Sequence, residues 1–384
     1  MKVHIFIGIV LFIALYVLSV VYLGRRIHQG VQMVLPEKFT WVFYTAYSLL
    51  AFAMVFGMMP VSFPLKSLLS TAGAYFMGFY AYGLMLFLLR DGVFLLGRLL
   101  KVLTAESYPR FMGTSALLLT MLSLFLVVYG SIHAGNIKTV SYEVDSTHQE
   151  LPEKMKIVLL SDLHLGAVGS EKRLPDIVEK VQKEKADLIL IAGDIFDDDF
   201  HLLKKPEEAK ELFLSMNATY GTYASLGNHD GGKTLPDMLA FLEESGITVL
   251  MEEYEMIEDS FVILGRLDPS PIGGFGDRNR RDTEEVLKGL PSNLPVIVLD
   301  HTPTLVEQYE KEVDLVLSGH THRGQIFPFQ FATKLLFTVD YGYYQKEETS
   351  PVHIVTSGAG TWGPPMRIGT NSEIVRITLS RVKR

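Results

Sequence analysis

The sequence predicts an α-helical membrane region followed by a water-soluble α/β domain, and three observations lead there. Nearly all charge lies after Lys138, in a chain of 384 residues that is 48% hydrophobic. Four apolar runs in the first third each approach the roughly 20 helical residues that cross a hydrocarbon core. From Asn136 onward, short β-rich runs alternate with amphipathic helices. Length alone favours two units, and the composition divides them as 1–135 and 136–384.

The apolar runs are Ile5–Leu23, Phe39–Met59, Leu68–Leu89 and Met112–Ile132, and none contains Asp, Glu, Lys or Arg. The first is read as a retained helix, because it lacks a small-x-small cleavage site and further runs follow it. Arg25, Arg26 and Lys38 follow the first run, and Arg90, Arg98, Lys101 and Arg110 follow the third. Only Lys2 and Lys66 mark the opposite side. Positive charge stays in the cytoplasm, so the expectation is a multi-pass cell-membrane protein with an extracytoplasmic C-terminal domain. Val93, Leu96, Leu99, Leu100 and Leu103, interleaved with Arg98 and Lys101, predict an interfacial helix.

Composition also excludes functions. A net charge of −8 with no basic stripe argues against a nucleic-acid partner. The absence of Cys rules out a disulfide framework and thiolate metal sites, and fits an exported domain. Spans without ionisable groups at depth argue against a transporter or channel.

In the second region, strands are predicted at Lys156–Leu160, Asp187–Ala192, Thr222–Leu226, Val262–Gly265, Pro295–Leu299, Asp314–Leu317 and Val352–Thr356. Helices are predicted at Lys172–Glu184, Glu207–Ser215, Leu235–Ser245 and Asp282–Lys288. Five of the strands run straight into polar clusters: Ser161-Asp162-Leu163-His164, Gly193-Asp194, Gly227-Asn228-His229-Asp230, Asp300-His301 and Ser318-Gly319-His320-Thr321-His322. Loops at the carboxyl ends of strands converge on one crevice. Oxygen and imidazole donors without sulfur suit Mn, Fe or Zn. Seven donors exceed the needs of one ion, and a carboxylate shared by two ions about 3.5–4 Å apart accommodates them all.

These five ordered motifs resemble the complete set of the calcineurin-like metallophosphoesterases over about Lys154 to Leu379. Gly324-Gln325, and Gly358-x-Gly360-x-Trp362-Gly363 with Pro365 and Arg367, resemble the membrane-associated bacterial branch of that family. The resemblance implies a β-sandwich flanked by helices and a hydrolase of phosphomono- or phosphodiesters. It implies one divalent ion on Asp162, His164, Asp194 and His322, and a second on Asp194, Asn228, His301 and His320. By the same resemblance His229 contacts phosphate beside Asn228 and protonates the leaving oxygen, with Asp230 orienting its ring. Arg323 stands where the branch usually has Gly, and its planar cation suits a phosphate oxygen. Asn371-Ser372-Glu373 likewise replaces a Pro-Pro-Glu pattern. Both departures bear on substrate fit.

The remaining polar residues have blander readings. Asp197, Asp198 and Asp199, with His201, read as a solvated loop. Arg278, Arg280 and Arg281 fit either a basic loop over the site or a surface helix flank, and Trp362 either a pocket wall or core. Tethering beside a bilayer makes a phospholipid or lipid-linked phosphate the attractive substrate. The rival function is a membrane sensor or scaffold with an inactive phosphoesterase domain, which should have lost a ligand.

Overall fold

The computed structural model describes residues 2–57, 59, 63–101, 108–291, 293–304, 306–309 and 313–382. The chain divides into two compact units, Met1–Ser131 with Gly363–Pro365, and Ile132–Trp362 with Met366–Arg384.

The first unit is helical: α1 (Lys2–Val31), α2 (Thr40–Ala51), α3 (Ala53–Gly57), α4 (Phe63–Leu99) and α5 (Tyr108–Ala134). Among the described residues three stretches are long and apolar enough to cross a membrane: Phe6–Val31, Leu65–Leu99 and Phe111–Ala134. The second apolar run of the sequence differs from expectation. It breaks at Phe52 (φ −103°, ψ 5°) into helices of 12 and five residues. The break presses α3 against a small-residue face of α4, where a Cβ on Gly73 would meet the Met54 amide nitrogen at 2.7 Å. The expected interfacial helix is instead the end of α4 as far as Leu99; Leu103 lies outside the described residues. A polar knot joins three of the helices. Asp91 accepts from Tyr22 at 2.7 Å and pairs with Arg26 and Arg90, while Arg90 reaches the Met112 carbonyl.

The second unit holds β1 (Lys138–Ser146), β2 (Lys154–Leu160), α6 (Ser170–Glu184), β3 (Leu188–Ala192), α7 (Pro206–Leu214), β4 (Thr222–Ser225), α8 (Leu235–Glu244), β5 (Ile247–Val249), β6 (Glu253–Ile257) and β7 (Phe261–Gly265). It continues with α9 (Thr283–Leu287), β8 (Val296–Leu299), β9 (Leu315–Ser318), α10 (Gln330–Leu336), β10 (Gly342–Tyr344), β11 (Val352–Val355) and β12 (Glu373–Arg381). The strands form two six-stranded sheets, ordered β1-β12-β2-β3-β4-β5 and β10-β11-β9-β8-β7-β6. Strands β2 to β5 run parallel in one sheet, and β11, β9, β8 and β7 in the other.

Alternation along each strand builds the layers. Ile157 and Leu159 of β2 point into the space between the sheets, meeting Ile297, Leu299, Leu315 and Leu317. Val158 and Leu160 point outward, where Ile177 and Val178 of α6 and Leu242 of α8 cover them. On the far side Val286 of α9 packs over Val262, Val296 and Val298. Both faces of the central strands are therefore buried, which is why β3 reads as the unbroken apolar run LILIA. The result is a helix-flanked β-sandwich, as expected.

Candidate metal centre

Hydrogen bonding continues beyond the strand ends and draws the polar loops together. The Asp162 amide donates to the Gly193 carbonyl and the His164 amide to that of Asp194, both at 3.0 Å. The Gly319 amide donates to His301 at 3.0 Å, and His301 Nδ1 reaches across the sandwich to the Ala192 carbonyl at 2.7 Å. Gly319 has to be glycine, since a Cβ there would collide with the Ser161 side chain and the Asp162 carboxylate. Asp162, His164, Asp194, His320 and His322 all have φ between 47° and 69°. Non-glycine residues avoid that region, and holding them there costs roughly 1–3 kcal/mol each.

Two clusters meet at Asp194. On one side His164 Nε2 and His322 Nε2 lie 3.1 Å apart, with Asp162 Oδ1 3.4 Å from His322 and Asp194 Oδ2 3.7 Å from His164. On the other, the same Asp194 Oδ2 is 3.1 Å from His301 Nε2, and His320 Nδ1 is 2.8 Å from Asn228 Oδ1. All seven sequence-derived donors thus come together, and Asp162, His164 and His301 have no exposed surface. Asp162–His164–His322 and Asp194–His301–His320 each bring their donor atoms within 4.8 Å of one another.

The electrostatics of this cluster suit cations. Burial raises the Asp162 carboxyl. Burial opposes charge on Asp194 too, but the imidazoles of His301 and His164 hold it well below the usual carboxylate range. Burial drives His322 well below its ordinary value and His320 down to about 4. His301 Nε2 is buried without a hydrogen-bond partner. Burial opposes charge on His164 too, but Asp197 and Asp194 raise it, and at 3.1 Å its Nε2 and that of His322 leave room for at most one proton between them. Lone pairs converging in a buried site are costly alone and are satisfied by divalent ions, so the residues fit the metals the motifs imply.

Around the donors, His164 Nδ1 lies 3.2 Å from Asp197 Oδ1, without hydrogen-bond alignment. Arg367, fully buried, donates to the carbonyls of His322, Ser357, Gly358 and Gly360, clasping the His322 loop to the one beside Asp162. His229 adjoins the cluster, its ring 5.1 Å from that of His164. Its Nδ1 bonds Asp198 Oδ1 at 2.7 Å. Burial disfavours the imidazolium, yet Asp198, Asp194 and Asp197 outweigh that and hold it up at about 9.

Several residues stand elsewhere than the sequence suggested. Asp230 does not reach the His229 ring; its two oxygens accept the amides of Phe196 and Gly227, each at 2.8 Å. Its place is taken by Asp198, whose sequence context reads as a solvated loop. Three consecutive aspartates gave no signal to single it out. Arg323 stacks over Tyr341, 4.0 Å from the ring centre. Arg280 makes a bidentate pair with Asp300 and Arg281 bonds Glu252, so these arginines brace their own loops. Trp362 is 52% exposed and 6.0 Å from the His229 ring, at the wall of the site and not in a core.

Comparison with known proteins adds to this geometry. The family model for calcineurin-like phosphoesterases matches residues 155–324. A metallophosphoesterase of Helicobacter pylori is 34% identical over 239 residues, covering 60% of this chain, and the chain spans 61% of that relative's length. One from Aquifex aeolicus is 32% identical, over 67% of this chain and 97% of its own. A Danio rerio transmembrane protein with metallophosphoesterase domain is 32% identical, over 74% of this chain and 68% of its own.

Proposed function

Because the chain belongs to the calcineurin-like phosphoesterase family of metal-dependent hydrolases, we propose that it is a membrane-anchored phosphoesterase working with two divalent ions on a phosphomono- or phosphodiester. The observation that carries this reading is the single oxygen, Asp194 Oδ2, standing between His164 Nε2 at 3.7 Å and His301 Nε2 at 3.1 Å. Asp162, His164, Asp194 and His322 would hold one ion, and Asp194, Asn228, His301 and His320 the other. When bound, the ions supply Lewis-acid charge that acidifies an attacking water and offsets charge on the phosphorus oxygens.

The chain's own residues do the rest. With Nδ1 held by Asp198, the His229 ring has Nε2 left to give a proton to the departing ester oxygen, a role typically worth about 10²–10⁴-fold. The Ala192 carbonyl fixes the His301 ring so that its Nε2 faces inward, and the Asp197 carboxylate lies 3.2 Å from His164 Nδ1, on the side of that ring away from the cluster. Trp362 limits water on one side of His229. Arg323 would reach a phosphate oxygen by leaving its stack on Tyr341. The intact donor set favours hydrolysis over an inactive scaffold.

For the membrane unit we infer four crossings, with α2 and α3 laid end to end serving as the second. Residues 40–57 would rise about 27 Å, close to the hydrocarbon thickness. The basic loops then face the cytoplasm and the hydrolase faces outward, beside lipid-linked phosphates and without a nucleic-acid partner. Protease access in intact cells tests the sidedness. The full-length protein in detergent, loaded with Mn and screened against lipid and soluble phosphoesters, tests the activity. Two bound ions per chain with turnover of neither class would overturn the reading.

A further inference from the structure

The second unit exposes its large apolar side chains unevenly. Of eleven such residues beyond β1 among those described, five fall within ten positions: Phe327 (48% exposed), Phe329 (51%), Phe331 (66%), Leu335 (86%) and Leu336 (75%). Charge within this stretch is limited to one cation, Lys334. A soluble surface does not carry such a patch without a partner.

Two sets of bonds place the patch. It is tied to the metal loop: the Thr321 hydroxyl donates to the Asp340 carbonyl, the Thr333 hydroxyl to the Asp340 carboxylate at 3.0 Å, and the Phe337 ring lies 5.9 Å from that of His320. It is also tied to the end of α5. The Phe327 amide donates to Ile368 at 2.8 Å, the Thr370 hydroxyl to Gln325 at 2.7 Å, and the Gln330 side chain to Ile368. Two residues on, His133 Nε2 meets the Thr370 carbonyl at 3.1 Å and Ser372 donates to Ala134 at 2.8 Å. The strip Ile368–Ser372 therefore links the patch to the last turn of an apolar helix long enough to cross the membrane. Trp362, half exposed, is held to the same corner by both its backbone groups through the Gln325 side chain. Exposed aromatics, leucines and a lone lysine are the chemistry of a bilayer interface.

We propose that the segment Phe327–Leu336, with Trp362 beside it, docks into the headgroup–acyl boundary of the bilayer and so opens the metal centre onto the membrane surface. The docking stands by itself; delivery of a lipid ester to the centre rests on the phosphoesterase reading above. Since the chain has no cysteine, Leu335→Cys and, as an exposed control on α8, Glu243→Cys each give one labelling site. The full-length variants are reconstituted in phosphatidylcholine–phosphatidylglycerol vesicles and labelled with a fluorophore. Quenching is read with doxyl-labelled lipid and with iodide on both sides of the membrane. The Leu335 label should be several-fold more sensitive to doxyl lipid than the Glu243 label, and several-fold less to iodide. Equal behaviour overturns the proposal, and so does shielding from iodide without doxyl quenching, which identifies a protein partner.

A second arm uses Leu335→Glu with Leu336→Glu, positions whose exposure leaves folding intact. Turnover of phosphatidic acid in vesicles should fall by about tenfold or more while that of soluble 4-nitrophenyl phosphodiester is unchanged; equal falls in both would overturn the delivery step. If the unsubstituted protein cleaves neither ester, the phosphoesterase reading fails, and the quenching result still decides the docking.

Discussion

Removing the Asp198 carboxylate should slow the enzyme only where the leaving group needs a proton. Asp198 sits at φ +63°, so glycine is the substitution that removes the side chain without straining the backbone. The lost contact is the 2.7 Å bond to His229 Nδ1. Charged hydrogen bonds contribute about 1.5–3 kcal/mol, and the Asp198 side chain is 51% exposed, so the low end applies. At about 1.4 kcal/mol per factor of ten, Asp198→Gly should lower kcat for an alkyl phosphoester by about tenfold. A 4-nitrophenyl ester, whose phenolate departs unaided, should be hydrolysed at nearly the original rate. The assay is steady-state kcat for both esters at fixed Mn, with metal content measured on the same samples. In a His229→Ala background the second substitution should cost nothing further, since both act through one imidazole. Equal losses on both esters, or additive losses in the double variant, would refute the orienting role.

Asp230→Ala should act on stability instead, because it orphans two buried amides at about 1–3 kcal/mol each. A fall in unfolding free energy of roughly 2–6 kcal/mol, read by denaturant titration of the chelator-treated protein, is the expected result. Gly319→Ala should cost metal before activity is even assayed: elemental analysis should find fewer ions per chain, because the new methyl displaces Ser161 and Asp162. His353 titrates in the opposite sense to a salt-bridged histidine. Burial pushes it from 6.5 down to about 4, so the unfolded chain takes up the proton first. Its contribution is complete above about pH 6.5 and declines as pH falls toward 4, by about 3 kcal/mol in all. His353→Gln should flatten that part of the stability–pH curve relative to the unsubstituted protein.

How much of this was legible in the sequence follows from the kind of interaction involved. The seven expected strands formed because each is an apolar run with buried faces, and the five polar clusters lay at their ends. Strands β1 and β12 carry no apolar signal because more than half their residues are polar, as in KTVSYEVDS, and they become strands by pairing with each other across more than 220 positions. Helix α10 was also missed: FQFATKLLF has no apolar–polar period to read, being exposed and hydrophobic together. The break at Phe52 depends on where Gly73 lets another backbone approach, which no local pattern records. Asp198 rather than Asp230 beside His229 is a matter of which way a loop turns. Composition settles which donors exist, and tertiary geometry assigns them partners.

The left-handed backbone at five of the proposed metal-binding positions sets selection for heat resistance against selection for turnover. Glycine at His164, His320 or His322 would relax the local torsion and toughen the metal-free polypeptide while removing a donor, whereas at Asp162 and Asp194 it would also orphan the His320 and His229 amides that those carboxylates accept. A laboratory evolution campaign scored only on survival of heating should therefore drift toward inert descendants, with glycines arriving first at those histidines. Aspartate and histidine would persist there only while something rewards the ions they are proposed to hold.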